Sequence, residues 1–150
     1  MAEDTILGLM VSHHALIEVL FSLFKNEAAA KSSKAADSLS DLTWEVKKHF
    51  FIEESAIFDF LPVKTMDLFK TVNHLKEEHT DMLSSLKNFS DNLAGIKDYE
   101  FESFHTLLEE HRETEEKILY PRLDKEMEDD QKRQIIHRIN EVPVIVNLKK

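Results

Sequence analysis

Cysteine is absent from the 150-residue chain, and glycine and proline are scarce, at 2 and 3 residues. The first absence excludes disulfides, thiolate zinc sites, iron–sulfur clusters and thiol catalysis together. The second leaves little turn chemistry for a many-stranded fold and no glycine-rich phosphate loop. Basic residues are outnumbered, 19 against 29 acidic, for a formal net charge of −10. That argues against a nucleic-acid partner, because phosphate binding needs clustered Lys and Arg. No run approaches the roughly 18 uncharged apolar residues of a membrane span, so none is expected. The acidic start Met1-Ala2-Glu3-Asp4-Thr5 does not read as a secretory leader, and a cytoplasmic protein is expected. With 42% hydrophobic residues, what remains is helices around a real core.

Four segments carry helical period, over residues 4–27, 33–61, 65–94 and 98–127. Asp4 or Thr5 suits the first N-cap, Pro62 stops the second helix, and Gly95 follows the third. Short connections make neighbouring helices antiparallel, so the expected fold is all-α, an up-down-up-down four-helix bundle over residues 1–128. Residues 129–150 are expected to add a short helix at 131–141 and an extended tail. The tail segment Val142-Pro143-Val144-Ile145-Val146 is expected to lie against the bundle or at a subunit contact, which leaves a homodimer open.

The apolar stripes contain an anomaly. They run Leu39, Leu42, Val46, His49, Glu53, Ile57, Phe60 in the second helix and Leu68, Val72, Leu75, His79, Met82, Leu86, Phe89, Leu93 in the third. The fourth reads Phe101, Phe104, Leu108, His111, Glu115, Ile118. Histidines and glutamates thus occupy core positions, and a buried charge without a partner costs several kcal/mol. Glu53 and Glu115 each lie four residues after a stripe histidine, a spacing that projects both side chains from one helix face. On the first helix His13 and His14 both fit, because Met10 and Ile17 flank the pair. All these positions fall near mid-helix, so four helices bring imidazoles to one level and two add a carboxylate. Imidazole plus carboxylate without sulfur suits iron, manganese or zinc. Four nitrogens and two bridging carboxylates supply about eight donor atoms, against roughly ten to twelve for two five- or six-coordinate ions. Two metals fit this arithmetic better than one. An internal repeat agrees: His49 to His111 and Glu53 to Glu115 are both 62 residues, and His14 to His79 is 65.

The pieces His14-Ala15-Leu16-Ile17-Glu18, His49-Phe50-Phe51-Ile52-Glu53-Glu54 with Pro62 beyond, Glu78-His79, and His111-x3-Glu115-Glu116 with Tyr120-Pro121 resemble the hemerythrin-like family of HHE cation-binding domains. The resemblance implies an oxo- or hydroxo-bridged non-haem di-iron site. It favours His14 over His13, and so a ligand set of His14, His49, Glu53, His79, His111 and Glu115. Oxygen-carrying hemerythrins place a second histidine where this chain has Leu75, and an aspartate where it has Glu116. The chain is therefore more similar to four-His, two-Glu members associated with handling iron or with sensing dioxygen, nitric oxide or related stress. A small diatomic or peroxide ligand is the expected partner. The rival readings are a di-iron enzyme on the same site, reducing peroxide or oxidising a small substrate, and a metal-free helical interaction module.

Other residues carry blander expectations. His74, His105 and His137 read as surface groups, and Glu54 and Glu116 as solvated or as acceptors for a ligand imidazole. Phe21, Phe24 and Phe50 read as core filling near the centre, while Trp44 and the Lys47-Lys48 pair show nothing functional.

Overall fold

A computed structural model describes residues 5–141, and every regular element among them is helical. The Val142–Val146 expectation lies outside the described residues. Helix α1 spans Ile6–Ala29, with Thr5 as N-cap accepting from the Gly8 amide at 2.9 Å. The Ile6 and Leu7 amides donate to the Asp124 carboxylate at 2.9 and 3.0 Å. The orphan donors of a helix start are thus met partly by a residue from the other end of the chain.

Helix α2 (Ala35–Ile52) follows a connection in which Lys31 takes the left-handed conformation, φ 54°. The helical period predicts that α2 runs unbroken to residue 61. Instead it passes into a π turn over Glu53–Ile57 and a 3-10 turn over Phe58–Phe60, before Pro62. A second 3-10 segment, Val63–Leu68, replaces the expected start of the third helix; Thr65 there is non-helical, and its hydroxyl donates to the Pro62 carbonyl at 2.7 Å. Helix α3 is Phe69–Asp91, and α4 is Asp98–Thr114. The fourth expected helix is also interrupted, by a π turn over Glu115–Leu119, after which α5 runs Tyr120–Glu126 with Pro121 in its tolerant first turn. Arg122 of α5 ties the 63–68 segment down through the Asp67 carboxylate, at 2.7 and 2.9 Å. Helix α6, Asp129–Glu141, completes the described chain.

The π turns correct the sequence stripes. In each, the amide five residues on (Phe58, Tyr120) donates to the carbonyl of the leading glutamate (Glu53, Glu115). Such a turn holds one residue more than an α turn, so the inward phase slips. Phe60 and Ile118, placed inward by the 3.6-residue period, are 44% and 52% exposed; Phe58 and Leu119 take the buried places. Leu93 is half-buried. The slip also extends the 62-residue repeat past the glutamates, because Ile57 and Leu119 are 62 residues apart, as are Phe58 and Tyr120.

Helix α1 packs on α2, α2 on α3 and α3 on α4, while α5 closes on α1 and α6 meets α1 and the Glu53–Ile57 turn, neighbours that fit a four-helix bundle with a short helix added. The core is split into two apolar layers. One gathers Ile6, Met10, Ile52, Ile57, Val72, Leu75, Leu119, Leu123, Ile135 and Ile139, the last two from α6. The other gathers Ile17, Phe21, Phe24, Leu42, Val46, Met82, Leu86, Phe89, Phe101 and Phe104. Each fully buried side chain of this kind contributes about 1.5–3 kcal/mol. Between Met10 and Ile17, between Leu75 and Met82, and at the matching places on α2 and α4, the core is polar instead.

The expectation of no span-like stretch needs correction for α1. By length and composition it is apolar enough to cross a membrane, which counting only uncharged runs conceals because His13, His14 and Glu18 interrupt it. One side of α1, carrying Ile6, Met10, His14, Ile17, Phe21 and Phe24, is buried within the protein.

Candidate metal centre

The polar layer consists of His14 from α1, His49 from α2, His79 from α3 and His111 from α4, with Glu53 and Glu115 leading the two π turns. All six are buried, and both glutamates are 0% exposed. Their candidate ligand atoms form two groups, His14–His49–Glu53–Glu115 and His79–His111–Glu53–Glu115, each with its atoms within 4.8 Å of one another. The two groups share both carboxylates. His13, the alternative on α1, stays half-buried at the rim with its ring 5.7 Å from that of His49. Burial and the neighbouring His49 and Lys48 push its pKa down to about 4.

Consecutive glutamates clasp one imidazole in each half. His79 approaches Glu53 through Nε2 at 3.0 Å and donates through Nδ1 to Glu54 at 2.6 Å. His14 does the same with Glu115 at 2.9 Å and Glu116 at 2.6 Å. In an α-helix adjacent side chains diverge by about 100°; the wider π turn reduces that divergence, so one glutamate enters the centre while the next grips the same ring from outside. The expectation of Glu54 and Glu116 as acceptors for an imidazole matches this geometry.

Two contributors have no role in the sequence reading beyond the family motifs that include them. Glu78, buried on α3, accepts from His111 Nδ1 at 2.8 Å. Tyr120 is fully buried and donates its hydroxyl to Glu53 Oε2. The 62-residue offset from Phe58 would have pointed to Tyr120: Phe58 stacks on His79 at 6.0 Å and Tyr120 on His14 at 6.3 Å. Of the three phenylalanines expected near the centre, Phe50 is there, stacked on His79 at 3.8 Å. Phe21 and Phe24 pack instead with Phe104, Phe89 and Phe101 in the neighbouring apolar layer.

The electrostatics are those of opposed buried charges. Burial lowers the pKa of His14, but hydrogen bonds to Glu115 and Glu116 prevail and raise it to about 9. Burial likewise opposes His111, and the Glu115 charge, with the close approach of Glu115 and Glu53 and the bond to Glu78, takes it up to about 12. Burial would raise Glu115, yet the charge of His111 leads the interactions that hold it well below the usual carboxylate range. Burial, reinforced by Glu115 and Glu53, pushes the Tyr120 hydroxyl well up, which keeps it a donor.

Internal pairing does not satisfy the layer. Both ring nitrogens of His49, His111 Nε2 and Glu115 Oε2 are buried with no hydrogen-bond partner. His111 Nε2 does lie 3.0 Å from Glu115 Oε2, but close approach without alignment is not a hydrogen bond. Each such orphan costs about 1–3 kcal/mol, and His49 Nε2, His111 Nε2 and Glu115 Oε2 are good metal-donor atoms within the shared cluster. The residues present therefore fit a metal.

His74 and His137 are exposed as expected. His105 is half-exposed, stacked on Phe21 at 5.4 Å and 3.2 Å from Glu18. It forms a third His/Glu group with Glu18 and Glu109, but Arg112 already donates to Glu109 there, and all three residues are only half-buried. A groove of ≈ 840 Å³ between α2 and α3, beside Trp44 and Lys47, includes none of the six central residues. A cavity of ≈ 10 Å³ does touch the centre, lined by His14, His49 and His111 with Ile17, Phe50 and Leu108.

Helices and centre together define a helical protein with buried His/Glu groups able to bind a metal. Comparison with known families agrees: residues 5–139 match the hemerythrin HHE cation binding domain. The chain belongs to that family. No curated protein and no solved structure matches it.

Proposed function

We propose that this chain is an up-down-up-down bundle holding two iron ions, and that it binds or senses dioxygen, nitric oxide or peroxide, or handles iron itself. His14 and His49 would hold one ion, His79 and His111 the other, and Glu53 and Glu115, common to both groups, would be shared between them. One observation carries the reading: the two four-residue groups share both carboxylates, which a single-ion site does not require. Manganese or zinc would suit the same donors. A pair of iron ions, when bound, would supply reversible binding of a small ligand.

The protein's own residues perform the rest. Glu54, Glu116 and Glu78 fix the ring orientation of His79, His14 and His111 through Nδ1, leaving each Nε2 for the centre. Phe50, Phe58 and Tyr120 wall the layer off from water. The cavity beside His14, His49 and His111 is ≈ 10 Å³, about the room one water needs. That size favours a diatomic or peroxide over a larger organic substrate, and so favours binding or sensing over oxidation of a small molecule.

Metal analysis of the purified protein tests the reading: about two ions per chain, with near-ultraviolet charge-transfer absorption when the metal is iron. Glu53→Ala should abolish the two-ion stoichiometry. Glu54→Ala should keep it at saturating metal while weakening affinity about 10–100-fold. Equal, full retention in both variants would defeat the ligand assignment.

A further inference from the structure

Helix α1 is apolar on the side it turns away from the core as well. Val11, Leu16, Val19 and Leu23 are 40%, 43%, 64% and 47% exposed. A helix at the surface of a bundle ordinarily presents charged and polar residues there. The exposed positions between Val11 and Phe24 carry no charge at all, and the only basic residue among the exposed positions of α1 is Lys25. Within this face Ser12, Leu16, Val19, Leu23 and Asn26 follow at steps of four, three, four and three. That is the spacing of a seam that packs against another helix.

We propose that a second copy of this chain covers the face, two α1 helices packing antiparallel about a twofold axis at Val19. The sequence of the seam is self-complementary under that operation. With Val19 on its own counterpart, Ser12 meets Asn26 of the partner subunit and Leu16 falls within one residue's rise, about 1.5 Å, of Leu23 of the partner subunit: apolar pairs lie inside and polar pairs at both ends. A twofold contact requires such a patch, since both subunits present the same surface. Charge points the same way. At a net −10, two copies repel across most of their surfaces, and this uncharged face is where they meet without that cost. A lipid bilayer is the poorer occupant, because helices that lie on membranes flank their apolar face with Lys and Arg, and Lys25 stands alone. The exposed residues of α1 are fewer than the roughly 20–30 a side of a standard stable interface. The dimer is therefore expected to be of the weak, reversible kind.

The cysteine-free chain makes the test clean. Sedimentation of the full-length, metal-loaded protein through the micromolar range should show a monomer–dimer equilibrium. Val19→Cys should form a disulfide-linked dimer under mild oxidation, whereas Ser12→Cys alone and Val63→Cys, at an 86% exposed site off α1, should not. Ser12→Cys combined with Asn26→Cys should link. Val19→Glu, with Leu23→Glu as a second variant should the first misfold, should leave only monomer while helix content and metal content stay as in the parent. A monomer at every concentration, failure of Val19→Cys to link, or linking of Ser12→Cys alone would overturn the proposal. So would cosedimentation with phosphatidylcholine–phosphatidylglycerol vesicles that Val19→Glu abolishes in a protein monomeric in solution; that result assigns the face to lipid. Metal content is read separately, so failure here leaves the di-iron reading standing.

Discussion

Six residues form the buried His/Glu layer; four stand out in the sequence as His-x3-Glu pairs breaking apolar stripes, and His79 because it interrupts a stripe by itself. His49–Glu53 and His111–Glu115 repeat the same four-residue step 62 residues apart, and His79 interrupts its own stripe between Leu75 and Met82. The sixth, His14, needed the family resemblance to separate it from His13. Glu78 was not readable in this way: it adjoins His79 in sequence but grips His111 on the next helix, a contact that no period within one helix encodes. Tyr120 tests how far the two halves of the site are equivalent. Its repeat partner is Phe58, so Tyr120→Phe makes them alike and removes only the bond to Glu53. A buried hydrogen bond to a charged acceptor contributes about 1.5–3 kcal/mol, and that loss should appear in the denaturant midpoint. The metal-to-chain ratio should not change; if it falls as in Glu53→Ala, then Tyr120 is a ligand rather than a donor to one.

Helix periodicity located the elements but not their interruptions. A period of 3.6 assumes α geometry throughout, and both π turns begin at the glutamates that enter the centre. Phe60 and Ile118 were placed inward for that reason alone, and the true inward residues, Phe58 and Leu119, are what the longer turn brings round. The connections show the same dependence on local geometry. Lys31 sits at φ 54° after α1, where a side chain meets its own backbone and glycine does not. Lys31→Gly should relieve about 1 kcal/mol of that strain, partly offset by the freer unfolded chain. A net gain of about 0.5 kcal/mol, or roughly 1–2 °C in melting temperature for a chain of this size, is expected in thermal unfolding of the two proteins side by side. A lower melting temperature would mean that the left-handed turn is not strained.

At the scale of the whole molecule, a polar slab divides two apolar layers, and the slab has two ways of being neutralised. In the metal-free protein the charges pair internally, with His14 at about 9 and His111 up to about 12 against an ordinary 6.5. A histidine raised on folding contributes stability that is complete below its unfolded value and disappears as pH climbs through the folded one. The His14 contribution is therefore whole below about pH 6.5 and lost by about 9, while that of His111 falls over the same interval and is not exhausted until about 12. Glu115, held low, is ionised throughout and contributes constantly there. Metal takes the other route. It binds deprotonated imidazole, so loading displaces protons from His14 and His111 and strengthens as pH rises. Between pH 6.5 and 9 the two routes respond with opposite sign. Melting temperatures of metal-free protein should fall across this window, and the gap between loaded and metal-free protein should widen. Calorimetric metal titration in buffers of different ionisation enthalpy should show net proton release that diminishes toward pH 9, where His14 is already losing its proton. A gap that narrows with rising pH, or loading without proton release at pH 6.5, would mean that the histidines and glutamates of this layer do not exchange protons for metal.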